Sequence, residues 1–144
     1  MDIVKELKKA KVQVVHNVDG TCLGKVPELQ ANLFQYIIFN FPHSGAQRVH
    51  TNRALLFDFF ESAREFVVHS GEIHVTLKTR PPYSNWLIEE QAEKAGLVLK
   101  ARAAFNIKLF PGYNHVTTDP DAKAFEPAFC RCYQFVVDRS KVRR

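Results

Sequence analysis

The stretch Tyr36-Ile37-Ile38-Phe39-Asn40-Phe41-Pro42-His43 limits the possible folds more sharply than any other part of the chain. It is an apolar run that stops at a polar corner locked by proline. A continuous run this short, bounded by a turn, reads as a strand buried on both faces, the kind found inside a parallel sheet. Such sheets belong to α/β folds, and there ligands gather just beyond the carboxyl ends of the strands. The Asn-aromatic-Pro-His corner is therefore a candidate site as well as a turn.

Flanking patterns support the same architecture. Ile3, Val4, Leu7 and Ala10 recur at helical spacing and predict a short amphipathic helix over residues 2–10. Residues 12–18, rich in valine, predict a strand that ends at Asp19-Gly20. Residues 21–33, with Gly24 and Pro27, read as a connection into the strand at residues 34–41. Thr51 or Asn52 can cap the longest helix. Along it Leu55, Leu56, Phe59, Phe60, Ala63, Phe66 and Val67 form one apolar stripe, and Gly71 stands where a helix end favours a left-handed residue. Ile73, Val75 and Leu77 alternate with His74, Thr76 and Lys78 in a third strand with one polar face. Pro81-Pro82 stops that strand, and Ser84 or Asn85 caps a helix ending at Gly96. Residues 97–105 and 129–137 read as the last strands, joined without an obvious helix and able to pair antiparallel. A basic tail follows at residues 139–144. The alternation predicts an α/β sheet with a parallel middle, in one domain over residues 1–144.

A chain of 144 residues with 46% hydrophobic and 24% charged residues can bury a core of its own. Its net charge of +5 suits an anionic partner, nucleic acid first, and suits a mildly basic soluble protein equally well. Three cysteines without zinc-type spacing point to a reducing compartment. Cys130 and Cys132 alternate along a strand and read as buried thiols on one face. The first residues hold no apolar secretory core, and no stretch reaches the ~20 apolar residues of a membrane helix. An intracellular protein without membrane contact is expected. His16, His50, His69, His74 and His115 lack ligand spacing of the His-Glu-x-x-His kind, so no metal is expected. Neither a Gly-x-Ser-x-Gly elbow nor a Gly-x-x-x-x-Gly-Lys loop is present, which removes hydrolase and nucleotidase readings.

Six blocks occur in a telling order. They are Val18-Asp19-Gly20-Thr21; Ile38 to His43; Asn52-Arg53-Ala54-Leu55-Leu56 with Phe59-Phe60; Gly71-Glu72-Ile73-His74-Val75-Thr76-Leu77-Lys78; Pro82-Tyr83 with Trp86; and Phe110-Pro111-Gly112-Tyr113. From about Val12 to about His115 the chain resembles the eukaryotic ribosomal-RNA uridine-N3 methyltransferase family, a Rossmann-type group that uses S-adenosylmethionine. The resemblance implies a mostly parallel methyltransferase sheet closed by an antiparallel last strand, an rRNA partner, and a place in the nucleus, the nucleolus or the cytoplasm. The chain departs from the family in lacking a Gly-x-Gly-x-Phe-Ser-type loop after a first strand. The resemblance thus implies a chain that starts just before the family's third strand. The family's first two strands would otherwise lie between residues 12–18 and 34–41. The expectation is that these two segments pair directly, or that the open edge joins a second copy into a homodimer.

The resemblance also assigns roles. Asp19 and Gly20 fall where the family's acidic residue meets the adenine amino group, although Asp-Gly is also a strong turn signal. Asn40 and Phe41 flank the same cofactor. Asn40 and Pro42 occupy the corner where many nitrogen methyltransferases carry an Asn/Asp-Pro-Pro-aromatic motif that takes hydrogen bonds from the target nitrogen. This chain has one Pro and no final aromatic. Uracil N3 carries a proton that must leave, and His43 is the candidate base; the plain alternative is a loop-capping Asn with a surface His. Tyr83 and Tyr113 can stack on an extruded base, Trp86 packs at a helix start, and Lys78 and Arg80 can reach phosphate. Without the Gly-rich loop, this chain alone is expected to bind S-adenosylmethionine poorly. It then reads either as part of a methyltransferase or as a non-catalytic RNA- or protein-binding scaffold.

Overall fold

Hydrophobic periodicity becomes three helices and one four-stranded sheet in the computed structural model, which describes residues 3–29, 33–45, 48–104 and 130–138. Helix α1 spans Ile3–Lys9, strand β1 Phe34–Asn40, helix α2 Val49–Arg64, strand β2 Val67–Lys78, helix α3 Ile88–Lys94, strand β3 Leu97–Ala104 and strand β4 Cys130–Val137. Single 3-10 turns lie at Leu23–Lys25, Pro27–Leu29 and Tyr83–Trp86. The sheet order is β1-β2-β4-β3. β1 and β2 are parallel, with α2 as the crossover, while β4 runs antiparallel to both β2 and β3. This is the α/β sheet expected, with an antiparallel last strand, but its middle is not parallel: the parallel pair β1–β2 lies at one side of the described sheet, and β4 enters between β2 and β3 and makes the middle pair, β2–β4, antiparallel.

The helical face of the sheet holds the core. Leu56, Phe59, Phe60 and Ala63 of α2 and Ile88 and Ala92 of α3 lie over Ile73, Val75 and Leu77 of β2, Leu97 of β3 and Phe135 of β4. Phe60 and Phe135 meet edge to face with ring centres 5.0 Å apart. Burying each such side chain stabilises the fold by about 1.5–3 kcal/mol relative to leaving it exposed. On the opposite face, Glu72 Oε1 lies 2.9 Å from His74 Nε2, and Lys100 Nζ donates to Glu72 Oε2 at 2.7 Å. Those two bonds hold the Glu72 carboxyl below its ordinary range, Lys100 contributing most. Cys130 is buried and Cys132 half-buried, and burial pushes the Cys130 thiol up to about 11.

Several expectations are corrected. Residues 12–18 form no strand and enter no ladder. Lys11 (φ 64°) and Asn17 (φ 59°) take left-handed conformations near either end, and Val12 and Val18 stay 45% and 41% exposed. Valine content favours an extended chain, but a strand also needs an edge to pair with in register, and this segment has left-handed breaks instead. It pairs neither with β1 nor with any other described strand. β1, in turn, is an edge among the described strands and not a strand buried on both faces. Ile37 and Phe39 pack toward the core, while Tyr36 and Ile38 are 54% and 60% exposed.

Gly71 caps no helix. α2 ends at Arg64 with Glu65 as its C-cap, and Gly71 lies inside β2, beside the register shift between Phe34 and Tyr36 of β1. A Cβ there would come within 2.7 Å of Val67 Cγ1 and 2.8 Å of the Gln35 carbonyl oxygen, so close strand approach explains this glycine. α2 begins after Arg48, which puts Thr51 and Asn52 inside the helix. α3 begins after Leu87, not at Ser84 or Asn85, which belong to the preceding 3-10 turn. α1 forms where expected but buries none of its residues. Tyr113, Phe105, Phe129 and residues 139–144 lie outside the described residues.

Candidate functional site

The parallel pair β1 and β2 carries the candidate site at its carboxyl edge. Asn40 closes β1 in register with Thr76 of β2, and Thr76 is buried despite its hydroxyl. The next residue, Phe41, turns left-handed (φ 55°) while its amide still donates to the Thr76 carbonyl at 2.8 Å. That reversal sends the chain off the sheet, buries Pro42 and leaves His43 exposed. The corner predicted from the sequence is thus a real change of direction at a strand end.

Two further groups fix the corner. Asn52 is fully buried in the first turn of α2; its Oδ1 accepts from the Ser44 amide at 3.0 Å and its Nδ2 donates to the Arg48 carbonyl at 3.1 Å. The Gly45 amide donates to His43 Nδ1 at 2.9 Å, from a φ of +87° that suits glycine. Sequence reasoning weighed Asn52 only as a helix cap. The overlooked signal was its place on the stripe of Leu56, Phe59, Phe60 and Ala63, where a polar side chain must find partners inside the protein.

The aromatic rim meets the corner. His43 lies edge-on to Trp86 with ring centres 5.5 Å apart and to Tyr83 at 6.4 Å; Tyr83 and Trp86 are 4.9 Å apart. Lys78 Nζ sits 5.0 Å from the Tyr83 ring centre, a cation–π contact, and partial burial holds this ammonium below the ordinary lysine range. Trp86 is 1% exposed, as its expected packing role requires, and its indole N–H has no acceptor among the described residues. Arg80 is exposed two residues beyond Lys78. Asn40, Pro42, His43, Lys78, Arg80 and Tyr83 therefore share one edge of the sheet.

Asp19 and Gly20 lie on the helical side of β1. A Cβ on Gly20 would touch the Phe59 and Phe39 rings at 3.5 and 3.6 Å. Asp19 Oδ1 accepts both the Thr21 amide at 2.9 Å and the Thr21 hydroxyl at 2.6 Å, and these bonds hold its carboxyl below the ordinary range. One oxygen of the carboxylate that the resemblance offers to adenine, Oδ1, is thus engaged by its own turn. No two of the six glycines stand at the Gly-x-Gly spacing of the loop whose amides approach the methionine end of S-adenosylmethionine. The described residues do not make up a complete site for that cofactor.

Residues 1–117 match the BMT5-like family, described as rRNA (uridine-N3-)-methyltransferase BTM5-like. The chain belongs to this family and is a methyltransferase-like domain. It is 37% identical over 123 residues to heavy metal-associated isoprenylated plant protein 41 of Arabidopsis thaliana, covering 81% of this chain and 24% of that protein. An uncharacterized Arabidopsis thaliana protein, At4g26485, is 30% identical over 122 residues, covering 78% of this chain and 58% of that one. The mouse ferredoxin-fold anticodon-binding domain-containing protein 1 homolog is 31% identical over 125 residues, with coverages of 78% and 20%. The chain spans about a quarter of the first of these relatives and less than two thirds of each. Among solved structures it is similar to the CcbJ methyltransferase from Streptomyces caelestis, with a TM-score of 0.46, 12% identity, and 75% of this chain and 59% of that chain covered.

Proposed function

We propose that this domain supplies the target-base side of an S-adenosylmethionine-dependent rRNA (uridine-N3) methyltransferase, working in the nucleus, nucleolus or cytoplasm. The observation that carries the reading is the convergence of Asn40, His43, Tyr83 and Lys78 at the carboxyl edge of the only parallel strand pair among the described residues. In this reading Asn40 and the backbone beside Pro42 address the target nitrogen, and the left-handed turn at Phe41 carries the chain from Asn40, still in the ladder, to Pro42 beyond it. Tyr83 offers a face on which an extruded base can stack, and Lys78 and Arg80 offer cations to the RNA backbone. Tyr113 completes the set by resemblance. The test is methyl transfer to uridine-containing rRNA by the domain joined to the Gly-rich half of a relative. There Asn40→Ala should lower the rate about tenfold to a thousandfold, the cost of one well-placed polar group, with folding nearly intact. An unchanged rate would remove the corner from the chemistry.

A second reading, a non-catalytic RNA- or protein-binding scaffold, draws on the engagement of Asp19 Oδ1 by Thr21 and the absence of Gly-x-Gly spacing from this sequence. Both readings expect this chain alone to bind S-adenosylmethionine poorly. Calorimetric titration should give no heat of binding at micromolar protein, and a clean micromolar dissociation constant would overturn that expectation.

A further inference from the structure

His43 was the candidate base in the sequence, and its hydrogen bond bears directly on that role. The Gly45 amide is a donor, so the His43 Nδ1 that receives it at 2.9 Å must present a lone pair. A neutral imidazole has one protonated and one bare nitrogen. With Nδ1 bare, the proton sits on Nε2. Among the described residues nothing bonds Nε2, and the side chain is exposed. The His43 nitrogen that no described residue bonds is therefore a donor and has no lone pair with which to take a proton.

We infer that His43 acts as a hydrogen-bond donor through Nε2–H to a carbonyl oxygen of the bound base, with Asn52 as the positioning residue that fixes this tautomer. The inference rests on the proposed function in taking a uracil-type base as the ligand. Uracil suits the donor because its N3 lies between two carbonyls. When N3 yields its proton to solvent water, the negative charge of the resulting imide anion spreads onto both oxygens. A donor fixed at one of them stabilises that charge without moving a proton itself.

Asn52 acts on His43 through the loop. By holding the Ser44 amide and the Arg48 carbonyl from a fully buried position, it sets the path of the two residues after His43. That path brings the Gly45 amide onto Nδ1. The edge-on contact with Trp86 keeps the ring from swinging away.

The test is multiple-bond proton–nitrogen correlation on the unaltered chain, with its six histidines labelled, at about pH 8, where imidazoles are ordinarily neutral. The His43 signals are assigned by their loss in His43→Gln. The expected spectrum has a bare Nδ1 and a protonated Nε2, and a proton on Nδ1 overturns the inference. Asn52→Asp keeps an acceptor for the Ser44 amide and should keep the tautomer. Folded Asn52→Ala should show mixed tautomers and lose the Trp86 ring-current shift. Loss of the tautomer in folded Asn52→Asp, or its persistence in folded Asn52→Ala, removes Asn52 from the positioning role.

The ligand is tested by fluorescence anisotropy with a short single-stranded oligouridylate. His43→Ala should weaken binding about threefold to tenfold, the scale of one neutral hydrogen bond. His43→Gln, whose side-chain amide still donates, should stay within about twofold of the unaltered chain. Equal losses in the two variants, or a loss in neither, overturn the donor role alone. Failure of the unaltered chain to bind oligouridylate overturns the uracil assignment together with the proposed function, whatever the tautomer.

Discussion

Glu72 lies between two cationic partners, Lys100 and, when protonated, His74, on a face of the sheet that carries no described helix. Because its folded carboxyl titrates below the ordinary range, its contribution to stability is full above the unfolded value and is lost as the pH falls through the folded one. Glu72→Gln should therefore reduce stability at neutral pH and flatten the acid loss that sets in below about pH 5, measured by urea denaturation at falling pH. An acid profile unchanged by the substitution would show that the bonds contribute nothing net. Asn52 is costlier to lose. Asn52→Ala strips partners from the Ser44 amide and the Arg48 carbonyl, and denaturation should show a loss of about 1–3 kcal/mol. At this scale the sequence disclosed the corner and the packing of Trp86, because an apolar run ending in proline and a large aromatic before a helix are local signals. It did not disclose which nitrogen of His43 is bare, because the Gly45 amide reaches it only through a backbone conformation with no clear mark in residue type.

β1 and β2 show what periodicity can and cannot say. Alternation in Ile73, Val75 and Leu77 fixed the core face of β2 correctly, since period two is a direct image of the pleat. The unbroken run in β1 was misread, because an apolar residue looks the same in sequence whether a neighbouring strand covers it or not. The strand expected at residues 12–18 failed for the related reason that pairing is a property of two segments. Among the described strands β1 is an edge, and Phe34–Asn40 carries no charge and no proline, so this edge lacks the usual protection against strand addition. Antiparallel self-pairing about Ile37 would set Tyr36 of one copy against Ile38 of the other, an aromatic–β-branched pair. Sedimentation at rising concentration should show self-association through this edge. Ile38→Lys should abolish it while changing stability by less than about 0.5 kcal/mol, since Ile38 is 60% exposed. A monomer at every concentration would sink the homodimer. Gly71→Ala should have the reverse character, a monomer-level loss of about 1–3 kcal/mol from a side chain wedged between β1 and β2.

Across the molecule, the strand that completes the sheet is the last of the described strands to be made. β4 begins at Cys130 yet lies between β2 and β3, both finished by Ala104. On the ribosome, β2 and β3 must wait with their facing edges unpaired, and Phe60 without Phe135, until residues 130–137 have left the exit tunnel. A growing chain therefore passes through a long interval in which its helices can form but its sheet cannot close. At the ordinary pace of synthesis, about 5–20 residues per second, the 25 residues from Ala104 to the start of β4 hold that interval open for a second or more. Nascent chains arrested before Cys130 should be cut readily by protease and be held by chaperones, while chains extended well past Val137 should resist cleavage. Protection before β4 emerges would mean that the first two strands and their helix fold without it.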